Sequence, residues 1–153
     1  MDQYYRKPHR HARNVDLTRD KRAQRVLVHG LADLCPFFEK LEVWMEVLSY
    51  PEDDIFAVRI AAYEAMKNAF EHGNRSDLSK IIDFRYLVTL DEVMLEVEDQ
   101  GHGFDPAQVP DPLGQENLDW SKGCGLFLMR TEMTWVRFNH TGNRVTLCKQ
   151  RSK

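Results

Sequence analysis

Cysteine is scarce in this chain, and long hydrophobic runs are missing. Cys35, Cys124 and Cys148 are the three cysteines among 153 residues, an odd and sparse set that argues against the disulfide framework of a small secreted domain. Apolar stretches such as Leu126–Met129 fall far short of the roughly 20 residues a membrane-spanning helix needs. No charged-then-apolar leader opens the sequence, so the expected setting is the reducing cytoplasm, with no membrane contact. Also missing are a Walker-type phosphate loop and a G-x-G-x-x-G turn with a following acid, which removes the commonest nucleotide signatures. Internal repeats and low-complexity tracts are absent too. His9-Arg10-His11 has no third ligand nearby to complete a metal site.

The chain has enough apolar residues, 42%, to bury one core. Its net charge of −3 is unevenly spread: residues 1–25 hold eight Lys or Arg against Asp2, Asp16 and Asp20, a net +5, so the remainder carries −8. An acidic body repels nucleic acid, and direct nucleic-acid binding is not expected; a protein partner suits it better. Residues 1–24 are expected to be a flexible basic extension, and residues 25–153 the folded domain.

Periodicity outlines that domain. Arg25–His29 is short and β-branched, as a strand requires. Phe37, Leu41, Trp44, Met45 and Leu48 recur at helical steps and predict one buried stripe over 36–48. Pro51 and the acids after it open a longer helix, for which Gly73-Asn74 predicts a left-handed exit. Alternation over 82–90 and 93–98 predicts two strands joined at Asp91-Glu92, and 134–139 with 144–149 a closing hairpin around Thr141-Gly142-Asn143. Between them, 104–122 has the prolines and lack of pattern of a lid or binding loop, and 123–133 is helical again. Helices early and strands late predict a two-layer α/β (α+β) sandwich, with a mixed, largely antiparallel sheet and helices on one face.

Three short pieces carry chemistry. Glu64 and Asn68 stand at i and i+4 on one helical face. An amide oxygen there suits Mg²⁺, and a carboxylate one turn away can take a proton from a hydroxyl attacking a phosphate. In isolation such a pair is more often simple helix surface, but Ala61, Ala62, Ala65 and Ala69 keep this part of the helix slim. Asp99 ends an apolar strand and precedes Gly101 and Gly103. A carboxylate so placed accepts the exocyclic amine of adenine and opposes the carbonyl of guanine, while the same letters alone also describe an ordinary turn. Gly123-Cys124-Gly125 opens the helix through Leu126, where N–H groups favour phosphates; Lys122 either adds a charge there or is merely solvated.

In their order and spacing these pieces resemble the Bergerat-fold (GHKL, histidine-kinase-like) ATP-binding superfamily, specifically its stand-alone anti-sigma-factor serine kinase branch. Glu64 through Asn68 to His72-Gly73 resembles the N box, Asp99 with Gly101 and Gly103 the first glycine box, and Gly123-Cys124-Gly125-Leu126 the second. The resemblance implies a Bergerat fold, ATP and Mg²⁺ as cofactors, Glu64 as catalytic base, Asn68 as metal ligand, Asp99 as adenine reader and Thr146 near the base. It also implies partner switching, in which the protein holds a sigma factor or phosphorylates a serine or threonine of an antagonist protein, often as a homodimer. The alternative is a nucleotide-gated binding module without kinase activity.

Overall fold

A computed structural model of the protein describes residues 3–5, 15–109 and 124–153. Its strands are β1 (Gln3–Tyr5), β2 (Gln24–Val28), β3 (Ile82–Val88), β4 (Glu92–Glu98), β5 (Trp135–Phe138) and β6 (Arg144–Gln150). They form one sheet in the order β1-β5-β6-β4-β3-β2, and each pairing along it is antiparallel. The helices are α1 (Cys35–Val47), α2 (Glu52–Asn68) and α3 (Cys124–Glu132). The two-layer sandwich expected from the sequence is therefore present, its described sheet wholly antiparallel rather than mixed.

Strand alternation sorts residues between the two faces. Phe84, Val93, Leu95, Val97, Val136, Val145 and Leu147 meet Leu41, Met45, Val58, Met66, Leu126 and Met129 of the helices in the main core. Ala61, Ala62 and Ala65 of α2 are buried, and their small side chains let this helix lie close to the sheet. The residues between face the other way. There Met94, Trp135 and Cys148 form a second cluster with Leu17, beside a buried charged network. Arg85 Nη1 donates to Glu96 Oε1 at 2.6 Å, and Thr146 Oγ1 donates to Glu96 Oε2 at 3.3 Å. Removing one partner of such a buried pair strands the other charge, at a cost of about 3–5 kcal/mol.

Segments assigned by sequence to a flexible extension contribute to this face and to the sheet edge. Gln3 pairs with Phe138 in register, Leu17 is buried, and Arg137 Nη2 donates to the carbonyl of Val15 at 2.6 Å. His9-Arg10-His11 lies outside the described residues.

Three local expectations need correction. Trp44 is 53% exposed; α1 packs along one narrow line, so Leu41 and Met45 are buried while Trp44, one step round the helix, faces outward with Val43 and Val47. The β3–β4 turn spans Thr89, Leu90 and Asp91, and β4 already begins at Glu92; the Thr89 hydroxyl accepts from the amides of Asp91 and Glu92. After Asn68 the helix widens into a π-turn over Ala69–Gly73, so the left-handed residues come later, at Arg75 (φ 55°) and Ser76 (φ 57°). Among the described residues, no helix is long and apolar enough to cross a membrane.

Candidate functional site

The i, i+4 spacing on α2 brings Glu64 and Asn68 to the wall of a cavity of about 650 Å³. His72 and Gly73 from the π-turn, Asp99 and Gly103 from the loop after β4, and Gly125 and Leu126 from α3 line the same space. Eight of the residues singled out in the sequence are thus brought together from four separate segments. Gly101 stands behind them and donates its N–H to Asp99 Oδ1 at 2.7 Å. Cys124 is half-buried at the start of α3 and is not part of the wall. Lys122, Gly123 and most of the expected lid lie outside the described residues.

Thr146 is not brought to the cavity. Its neighbours Val145 and Leu147 face the helices, so strand alternation turns Thr146 to the opposite face, where it is 2% exposed and bonded to Glu96. The cavity instead receives Gly142 and Asn143 from the β5–β6 turn and Arg144 from the start of β6. Sequence reasoning missed these: Thr141-Gly142-Asn143 carried a turn signal only. Asn139 Oδ1 organises that turn by accepting from the amides of Gly142, Asn143 and Arg144.

The glycines allow close approaches. A Cβ on Gly73 would lie 2.2 Å from Asp99 Cγ, and one on Gly125 would lie 2.6 Å from Glu64 Oε2 and 3.4 Å from Asn68 Oδ1. Gly103 (φ +78°) and Gly142 (φ +80°) are left-handed and pack the loop after β4 against the β5–β6 turn, a conformation that side chains resist. One wall is apolar, with Val97, Leu126, Met129, Phe138 and Val145; Phe104 meets Phe138 edge-to-face at 5.3 Å. A flat base would suit such a surface, with Asp99 as its polar anchor. Burial pushes the Asp99 carboxyl above its ordinary value, with the Gly101 N–H opposing.

The histidine kinase-like ATPase domain model matches residues 27–149. The chain belongs to that family. Its curated relatives include the serine-protein kinase RsbW of Bacillus subtilis, 34% identical over 109 residues that span 67% of this chain and 68% of that protein. The RsbW proteins of Bacillus velezensis (32% over 109 residues, 67% and 68%) and Staphylococcus aureus (29% over 105 residues, 63% and 66%) are also similar. Membership in a histidine kinase-like ATPase family implies ATP use. The three cysteines are free thiols.

The space between α2 and α3 that a Gly125 Cβ would fill also decides whether a metal suits the site. It is bordered by one carboxamide and one carboxylate. That donor set fits Mg²⁺, which takes few protein ligands and draws the rest from water and phosphates.

Proposed function

We propose that this protein is an ATP- and Mg²⁺-dependent serine-protein kinase of the anti-sigma, partner-switching type. One observation carries the reading: Glu64 and Asn68 border the Gly125 gap at the start of α3 while Asp99 lines the same cavity. A nucleotide with its base at Asp99 and its phosphates toward α3 would present the γ-phosphate near Glu64. Adenine fits that orientation because its exocyclic amine donates to the Asp99 carboxylate, where guanine would set a carbonyl against it.

Glu64 is the proposed catalytic base. It takes the proton of the acceptor serine hydroxyl as that oxygen bonds to the γ-phosphorus; the bond from phosphorus to the β,γ-bridging oxygen breaks, giving phosphoserine and ADP. Asn68 would hold Mg²⁺, which when bound neutralises charge on the phosphates. His72, Gly73 and Gly101 support the walls, and the second glycine box, Gly123-Cys124-Gly125-Leu126, with Lys122 just upstream, is assigned to the phosphates. The proposed partners are a sigma factor and an antagonist protein that accepts the phosphate, with a homodimer as the working assembly in the cytoplasm. The exposed apolar side chains of Val43, Trp44, Val47 and Phe56 offer the kind of surface such protein contacts use.

The testing experiment is the thermal shift of the purified chain with ATP, ADP and GTP, with and without Mg²⁺. Ligand at about 100 times its dissociation constant adds roughly 2.7 kcal/mol. Adenine-selective, magnesium-assisted stabilisation is expected; no shift with any nucleotide would overturn the reading.

A further inference from the structure

The geometry points to Asn74 as a positioning residue for base selection, one that acts on the nucleotide only through Asp99. Asn74 is 0% exposed, and both ends of its carboxamide are used. Its Nδ2 donates to the Ile81 carbonyl at 3.0 Å, and its Oδ1 accepts from the Gln100 amide at 2.8 Å. The Ile81 amide in turn donates to Gln100 Oε1 at 2.8 Å. Three bonds thus close a ring that joins the end of the π-turn, the start of β3 and the loop after β4. The Asn74 amide also donates to the Ala69 carbonyl at 2.7 Å, which anchors the ring to the helical end.

The ring lies behind the site, since Asn74 is absent from the cavity wall. Its two neighbours are in front of it. Asn74 follows Gly73 and Gln100 follows Asp99, and these two meet so closely that a Cβ on Gly73 would lie 2.2 Å from Asp99 Cγ. From the other side, Asn143 holds the Asp99 backbone: the Asp99 amide donates to the Asn143 carbonyl at 3.0 Å, and Asn143 Nδ2 donates to the Asp99 carbonyl at 3.2 Å. Between these restraints the carboxylate has one place to stand. Only a carboxamide fits position 74, because a carboxylate would oppose the Ile81 carbonyl and a hydroxyl cannot reach both partners. This inference rests on Asp99 being the adenine acceptor.

The test measures ATP and GTP dissociation constants, with Mg²⁺, and kcat on the full chain carrying Asn74→Asp, Gln100→Met, Asp99→Asn, or Asn74→Asp with Asp99→Asn. Asn74→Asp is expected to weaken ATP about tenfold and to narrow the ATP-to-GTP ratio, with kcat at saturating ATP within about threefold. In the Asp99→Asn background the same substitution should cost less than about twofold, because coupled residues are not additive. Gln100 is exposed, so Gln100→Met opens the ring with little risk to folding and should shift the ratio the same way if Asn74→Asp fails to fold. Unchanged ATP affinity and ratio in the folded ring variants, beside a clear loss in Asp99→Asn, would overturn the inference alone. An undiminished loss in the double variant would do the same. Asp99→Asn with parental affinity and ratio would overturn it together with the adenine reading.

Discussion

Gly125→Ala should separate catalysis from stability. The added Cβ would sit 2.6 Å from Glu64 Oε2, against an ordinary contact that begins at 3.4 Å, so the carboxylate must retreat by about 0.8 Å. Asn68, at 3.4 and 3.5 Å from the same Cβ, need not move. Glu64 is the end of a flexible side chain, so the fold absorbs the shift cheaply, and alanine in place of glycine in a helix contributes up to about 1 kcal/mol. A base displaced by about 1 Å costs about 10²-fold in rate, or roughly 2.7 kcal/mol of barrier. The assay is phosphate transfer from radiolabelled ATP to an antagonist protein, run beside a melting curve. The expected result is kcat down about 30- to 100-fold with the melting temperature held or raised. A folded variant with kcat within about twofold of the parent would refute the placement of Glu64 against α3 as the determinant of base geometry.

Other consequences follow from the same geometry. Because burial raises the folded-state carboxyl of Asp99, the folded protein holds that proton more tightly than the unfolded chain, and stability falls as pH rises through the ordinary carboxyl range. Asp99→Asn should therefore raise the melting temperature of the nucleotide-free protein at pH 7 while weakening ATP, with the thermal gap closing below about pH 4; an unchanged gap across a pH series of melting curves would count against this. The Tyr50 hydroxyl, pushed up to about 12 mainly by burial, donates to the Thr89 carbonyl at 2.8 Å. Stability should be lost as pH rises from the ordinary tyrosine range toward that value, and Tyr50→Phe should flatten this alkaline limb at a cost of about 1 kcal/mol at neutral pH. In chemical denaturation, Trp135→Ala should cost about 3–5 kcal/mol, whereas Trp44→Ser in the dilute monomer should stay within about 0.5 kcal/mol; equal costs would mean the exposed face of α1 is buried in solution.

The parts of this molecule that repeat were legible in its sequence. Leu41 and Met45 at helical spacing, Ile82, Phe84 and Tyr86 at strand spacing, and the slim alanine face of α2 each express a period that burial enforces. The site was legible for a different reason: Glu64, Asn68, Asp99 and Gly125 belong to short motifs whose residue types suit one chemistry. What escaped were single polar residues without a period. Asn74 and Asn143 act through bonds to backbone brought near by the fold, and nothing in the local sequence marks such a bond. Gly73 was legible as a glycine but not for its cause, since the need comes from Asp99, 26 positions away. Thr146 is the reverse case, for the alternation of Val145 and Leu147 already turns it from the helices. The N-terminal segment has too few apolar residues to announce packing, yet Leu17 is buried with Trp135 and Met94, and β1 pairs along β5.

The most direct test of the central claim is single-turnover transfer from radiolabelled ATP to an antagonist-protein serine, comparing the parent with Glu64→Gln and measuring ATP affinity in parallel. The parent is expected to give phosphoserine and stoichiometric ADP, and Glu64→Gln to keep its ATP affinity within about twofold but transfer phosphate more slowly by about 10²- to 10⁴-fold, roughly the contribution of a general base. Equal transfer rates in the two proteins, or a parent that binds ATP and forms neither ADP nor phosphoserine, would contradict the central claim.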